Sequence, residues 1–162
     1  HIVPFEQIFR EFMQFAPTAS MMIKNIILKN LPEFFYRAPV GDFFLEALSG
    51  QNGVLYIPDK MSIYRREAQS SWSADVLKDI SKEEKHFLRM LSSLKDLEEY
   101  LPKDKAKYVK LKKVGIYEKL AFIYIRTNKR LHSAKYYFKF ISCGDLTFRQ
   151  LRKYITKFIL GW

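Results

Sequence analysis

Asp42 stands between Gly41 and the apolar run Phe43-Phe44-Leu45. A lone carboxylate in that setting can accept a proton from an attacking hydroxyl. Arg65 and Arg66 are adjacent guanidinium groups, which match phosphate oxygens two bonds at a time and can clamp a diphosphate. Thr18 and Ser20 carry short hydroxyls able to hydrogen-bond an acceptor, and Tyr64 and Trp72 offer flat rings for stacking. Each has a plainer role beside the chemical one. Capping preference on its own favours Asp42 as the N-cap of a helix. The arginines can be an exposed pair at a strand end, the hydroxyls strand-edge residues, and the rings loop packing. Other chemistries find no support. His1, His86 and His132 are scattered without ligand spacing, and neither a glycine-rich phosphate loop nor a G-x-S-x-G word occurs. The single cysteine, Cys143, excludes an internal disulfide framework and a cysteine-based zinc site. The acids of the second half sit mostly between Ser81 and Tyr100 at solvated spacing, so the chemistry is confined to the first 75 residues.

Three words in order carry more than any one residue: PEFFYRAPVGDF (Pro32 to Phe43), MSIYR (Met61 to Arg65) and Trp72-Ser73. This succession resembles the acceptor-side half of inverting GT-A glycosyltransferases of the large family two, particularly the bacterial enzymes that assemble surface polysaccharides. PTASMMI (Pro17 to Ile23) is similar to a stretch at the floor of their acceptor site. The resemblance implies an α/β fold, namely the C-terminal, acceptor-side half of a GT-A nucleotide-diphospho-sugar transferase domain over residues 1–75. A basic α-helical extension follows over 76–162. It further implies Asp42 as catalytic base, Arg65 against the diphosphate, Tyr64 and Trp72 against a sugar ring, and Thr18 and Ser20 at the acceptor. Glu67 falls where the family's V-Y-R-x-H word has a histidine that ligates a metal. A carboxylate can hold Mg²⁺ or Mn²⁺, but a solvated loop glutamate is the plainer role at this departure. The divalent cation expected of such an enzyme sits on a D-x-D motif, and no D-x-D occurs in these 162 residues. A donor-binding half is therefore expected upstream of His1, and this chain alone is expected to be inactive. The whole enzyme would transfer a sugar from a nucleotide-diphospho-sugar to a glycan or lipid-linked acceptor with inversion.

Periodicity sets the elements that must position these groups. Phe5, Ile8, Phe9 and Phe12 predict a short helix, Pro17 to Ile23 a buried strand, and Phe43 to Leu48 a helix capped by Asp42 and ended by Gly50. Val54 to Ile57 and Met61 to Arg65 read as strands joined by a Pro58-Asp59-Lys60 turn. Ser81-x-x-Glu84 has capping-box spacing before a helix with Phe87, Leu88, Leu91, Leu94 and Leu97, and Pro102 ends it. Helices near 116–126 and 131–141 follow around a TNKR turn, and the last opens at Thr147. Leu120 to Ser142 resembles a single tetratricopeptide-like hairpin with Ala121, Tyr124, Ala134 and Tyr137 at packing positions; no second unit is present.

The net charge of +11 is uneven. Residues 1–80 carry 8 Lys or Arg against 9 Asp or Glu, whereas residues 81–162 carry 20 against 8. A basic field favours polyanions. In the final helix Phe148, Leu151, Ile155, Phe158 and Trp162 follow one face, so residues 103–162 are expected either to lie on an anionic membrane surface or to pack that stripe on their own hairpin. A non-catalytic helical module binding nucleic acid or a protein is the alternative function, and nucleic acid is disfavoured because no zinc spacing, RNP word or helix-turn-helix supports it. HIVPFEQIFREF lacks the basic and apolar regions of a signal peptide, and no run is long enough to span a bilayer. The expected location is the cytoplasm, peripheral at the inner face of the membrane.

Overall fold

The structure is a computed structural model describing residues 1–10, 15–59, 79–143 and 148–160. The chain starts with β1 (Ile2–Val3) and α1 (Phe5–Arg10), then a 3-10 turn at Thr18–Ser20. Three short helices follow, α2 (Asn25–Lys29), α3 (Glu33–Arg37) and α4 (Asp42–Ser49), and then β2 (Val54–Leu55). The second half holds α5 (Ile80–Tyr100), α6 (Lys103–Ala106), α7 (Val109–Arg126), α8 (Arg130–Cys143) and α9 (Phe148–Leu160).

This architecture corrects the α/β expectation. Helix makes up 72% and strand 3% of the structure, and the one sheet among the described residues is the antiparallel pair β1–β2, with Ile2 opposite Leu55 and Val3 opposite Val54. A half-domain of GT-A type needs a row of paired strands, and among the described residues that row is missing. The stretch read as a buried strand, Pro17 to Ile23, instead closes on itself. Ser20 N–H donates to the Pro17 carbonyl at 2.8 Å and Met21 N–H to that of Thr18 at 3.2 Å, with residues 17–20 exposed. Unpaired strand backbone must find partners elsewhere, and here it finds them within three residues. The strand read over Met61 to Arg65 lies outside the described residues. That over Val54 to Ile57 is present as Val54–Leu55, paired with a strand at the chain's start that periodicity did not reveal.

Two hydrophobic cores hold the helices. The first joins Phe5, Ile8 and Phe9 of α1, Phe34 of α3, and Phe43, Phe44 and Leu48 of α4 to Leu94 and Leu97 of α5 and to Val109, Ile116, Leu120 and Ile123 of α7. It draws on both sides of the 75/76 boundary. The second joins Ala121 and Ile125 of α7, Tyr137 and Phe140 of α8 and Tyr154 of α9. Gly50 ends α4 at ordinary φ, and its value lies in space: a Cβ there would come within 2.5 Å of Ile8 Cδ1 and 2.8 Å of the Glu46 carbonyl oxygen. Among the described residues no helix is long and apolar enough to cross a membrane.

Helix α5 begins two residues earlier than the capping-box spacing implies. Asp79 is its N-cap, and its Oδ1 accepts from Ser81 N–H at 2.8 Å and Lys82 N–H at 3.3 Å. Asp79→Ala should therefore cost about 1 kcal/mol in urea unfolding, while Ser81→Ala, already inside the helix, should be within a few tenths of wild type. The reverse ranking would return the cap to Ser81.

Candidate functional site

Asp42 is the first residue of α4, with Gly41 in the cap position and no side-chain cap bond. The N-cap role expected of it is thus corrected: its carboxylate lies in the first helical turn and is half-buried. Behind it the sequence fixes α4 firmly, because Phe43 and Phe44 are both in the first core. Phe43 meets Phe9 edge-on with centroids 5.5 Å apart, and Phe44 meets Phe34 at 6.1 Å. One turn on, Glu46 is buried. Its Oε2 accepts from Phe15 N–H at 3.0 Å and its Oε1 from Ala16 N–H at 2.7 Å. Across from it, Lys112 of α7 is also buried, with Nζ 4.3 Å from the Phe43 ring centroid. Removal from water pushes the Glu46 carboxyl above the ordinary 4.5, and the charge of Asp42 adds to that. The Ala16 and Phe15 amides and the Lys112 ammonium oppose it.

The structure therefore groups Asp42 with two residues that sequence reasoning missed. Glu46 could have been found from its i,i+4 spacing to Asp42 at the border of the apolar face Phe43-Phe44-Ala47-Leu48. Lys112 occupies a step of the buried series Val109, Ile116, Leu120, where a lysine cannot be a solvated residue. Thr18 and Ser20, the hydroxyls expected at an acceptor, sit on the exposed turn that begins just past Ala16, the residue anchored to Glu46. Ser20 Oγ is already engaged, donating to the Pro17 carbonyl at 2.7 Å. Tyr64, Arg65, Arg66, Glu67 and Trp72 lie outside the described residues.

Among the described residues no three His, Cys, Asp or Glu side chains come together to hold a metal ion. The Asp42–Glu46 pair does not fit a divalent cation: both Glu46 oxygens are taken by backbone amides, and a buried ammonium shares the site. What the arrangement offers instead is a rigid helix start carrying one available carboxylate. Comparison with models of protein families, with curated proteins and with solved structures returned no match.

Between 4.5 and its raised folded value, Glu46 holds more protons in the folded protein than in the unfolded chain. Stability contributed by this group is thus full below 4.5, falls as pH rises through that window and levels off above it. Glu46→Gln should abolish this slope in urea midpoints measured across the acid range. It should also cost about 1–3 kcal/mol, because one of the two amides then faces an NH₂ group. An unchanged slope in the variant would assign the titration elsewhere.

Proposed function

We propose that Asp42 is the general base of an inverting glycosyl transfer. The acceptor hydroxyl attacks the anomeric carbon of a nucleotide-diphospho-sugar from the face opposite the phosphate. The new C–O bond forms as the bond to phosphate breaks, and its electron pair leaves with the nucleoside diphosphate. The hydroxyl proton passes to the Asp42 carboxylate. The observation that supports this role is the placement of Asp42 on α4. Phe43 and Phe44 lock the helix behind it, and Glu46 ties the Phe15-Ala16 backbone one turn away. A base must be held to within a fraction of an ångström to act efficiently, and this helix start is held from two sides.

The residue words support the same reading. Gly41-Asp42-Phe43 stands in the sequence between PEFFYRAPV and the MSIYR word. Arg65 is assigned to the diphosphate, Tyr64 and Trp72 to a sugar ring, and Thr18 to the acceptor. The acceptor in this reading is a glycan or lipid-linked one presented on the cytoplasmic side of a membrane, and these 162 residues carry no D-x-D motif for a cation. No step proposed for this chain uses a metal.

Asp42→Asn keeps the size of the side chain and removes its basicity. In the intact protein it should lower sugar transfer by at least ~100-fold, the scale of a lost general base. Stability should change by only about 0.3–1 kcal/mol, from the charge lost at a helix N-terminus. Turnover assayed alongside thermal unfolding separates the two effects. Near-normal turnover in the Asn variant would leave Asp42 as a helix-starting residue and end the catalytic assignment.

A further inference from the structure

The second core turns the expected apolar stripe of the last helix inward in part and exposes a different one. Tyr154 stacks on Tyr137 with ring centroids 3.4 Å apart, and its hydroxyl lies 3.0 Å from Ser133 Oγ, which donates to the Ala121 carbonyl at 2.9 Å. Leu151 and Phe158 pack against the same cluster, and Arg130 lies over the Phe158 ring at 5.7 Å. Those contacts run α9 antiparallel to α8, with Tyr154 level with Ser133 and Phe158 level with Arg130. Ile155 and Ile159 are left out of the core, 45% and 66% exposed. On α8, Leu131 and Phe138 are one heptad apart on the side away from the buried Ser133, Tyr137 and Phe140, and are 87% and 71% exposed. Helical geometry turns each pair away from the second core, onto the outward side of the α8–α9 seam.

We infer that this seam docks on an anionic lipid surface, with Leu131, Phe138, Ile155 and Ile159 entering the interface. Charge complementarity commits the surface to that occupant. Residues 127–162 carry eight Lys or Arg and the single acid Asp145, and Arg130, Lys135 and Arg152 are exposed on the same two helices. Apolar side chains standing among cations match an interfacial membrane helix, where burial of the former and attraction of the latter act together. A single-stranded nucleic acid would instead need a row of rings free to stack on bases, and among the described large hydrophobic residues of α8 and α9 Phe138 is the one exposed ring. Here Tyr137 and Tyr154 stack on each other inside the core, and Tyr124 stacks on Tyr136 with centroids 5.5 Å apart. The inference does not depend on the role of Asp42.

Sedimentation of the full chain with vesicles tests it. Binding is expected to an equal mixture of phosphatidylcholine and phosphatidylglycerol, weakened at least about tenfold by high salt or on phosphatidylcholine alone. The double variant Phe138→Ser/Ile159→Ser should weaken partition by about tenfold. Met22→Ser, an exposed apolar residue elsewhere on the surface, should not. Leu131→Ser/Ile155→Ser provides a second variant of the same face, and circular dichroism checks that both remain helical. Failure to bind the mixed vesicles, or binding indifferent to both double variants, overturns the proposal. So does capture by a single-stranded RNA without vesicle association, which would move the basic surface to a nucleic acid.

Discussion

Helix α7 is buried on two sides at once. Val109, Ile116, Leu120 and Ile123 belong to the core shared with α1, α4 and α5, and Ala121 and Ile125 to the core beneath α8 and α9. A helix usually needs one apolar stripe facing a core and leaves the opposite face polar. Double burial makes α7 the member through which the N-terminal helices and the C-terminal hairpin share one structure. Full burial of a Leu or Ile contributes roughly 1.5–3 kcal/mol, so the four aliphatic side chains of α7 in the first core outweigh any single polar contact there. They also explain Lys112: its stem lies where the stripe demands an apolar residue, and its head is matched by the Phe43 ring and by the charge of Glu46.

Polar contacts along the edge of α7 set its register rather than its strength. Glu83 of α5 pairs with Arg126 at 3.3 Å, Lys129 with Glu84 at 3.4 Å, and Lys113 with Glu98. Tyr124 donates its hydroxyl to Glu84 at 2.9 Å; burial and that bond hold the phenol well above its ordinary value, so it stays a donor at any physiological pH. Partly exposed pairs of this kind contribute little each, but together they align α5 against α7 along most of its length. The turn after α7 follows from the same register: Asn128, at φ 57°, takes the left-handed conformation that asparagine tolerates, and α8 folds back over the helix.

Much of the helical half was legible because its signals are local. Apolar steps of three and four residues, Pro102 and the TNKR turn gave the order of the helices from Ile80 onward. Ala121, Tyr124 and Tyr137 pack as their spacing implied. Ala134 does not, because Ser133 takes the buried position and satisfies its hydroxyl between Ala121 and Tyr154. The N-terminal half was read less well, since its elements are short and depend on partners distant in sequence. Nothing in Ile2–Val3 announces a strand until Val54–Leu55 arrives beside it. Likewise a run such as Ala19-Ser20-Met21-Met22-Ile23 has strand composition but no strand to pair with. At the candidate site, Asp42 is singled out by its neighbours in sequence, Gly41 and Phe43. Glu46 was not singled out, because its meaning comes from Phe15 and Ala16, 31 and 30 residues away.

In the proposed role of Asp42, a single carboxylate at the start of a fixed helix accounts for one kind of displacement. A base that only removes the acceptor's proton gives direct attack and inversion, whereas retention needs a second step and a group that bonds to the sugar. The anomeric configuration of the product, read by proton NMR before it can equilibrate, tests this most directly in the intact protein. The account predicts a configuration opposite to that of the donor sugar. A product that retains the donor's configuration would contradict it.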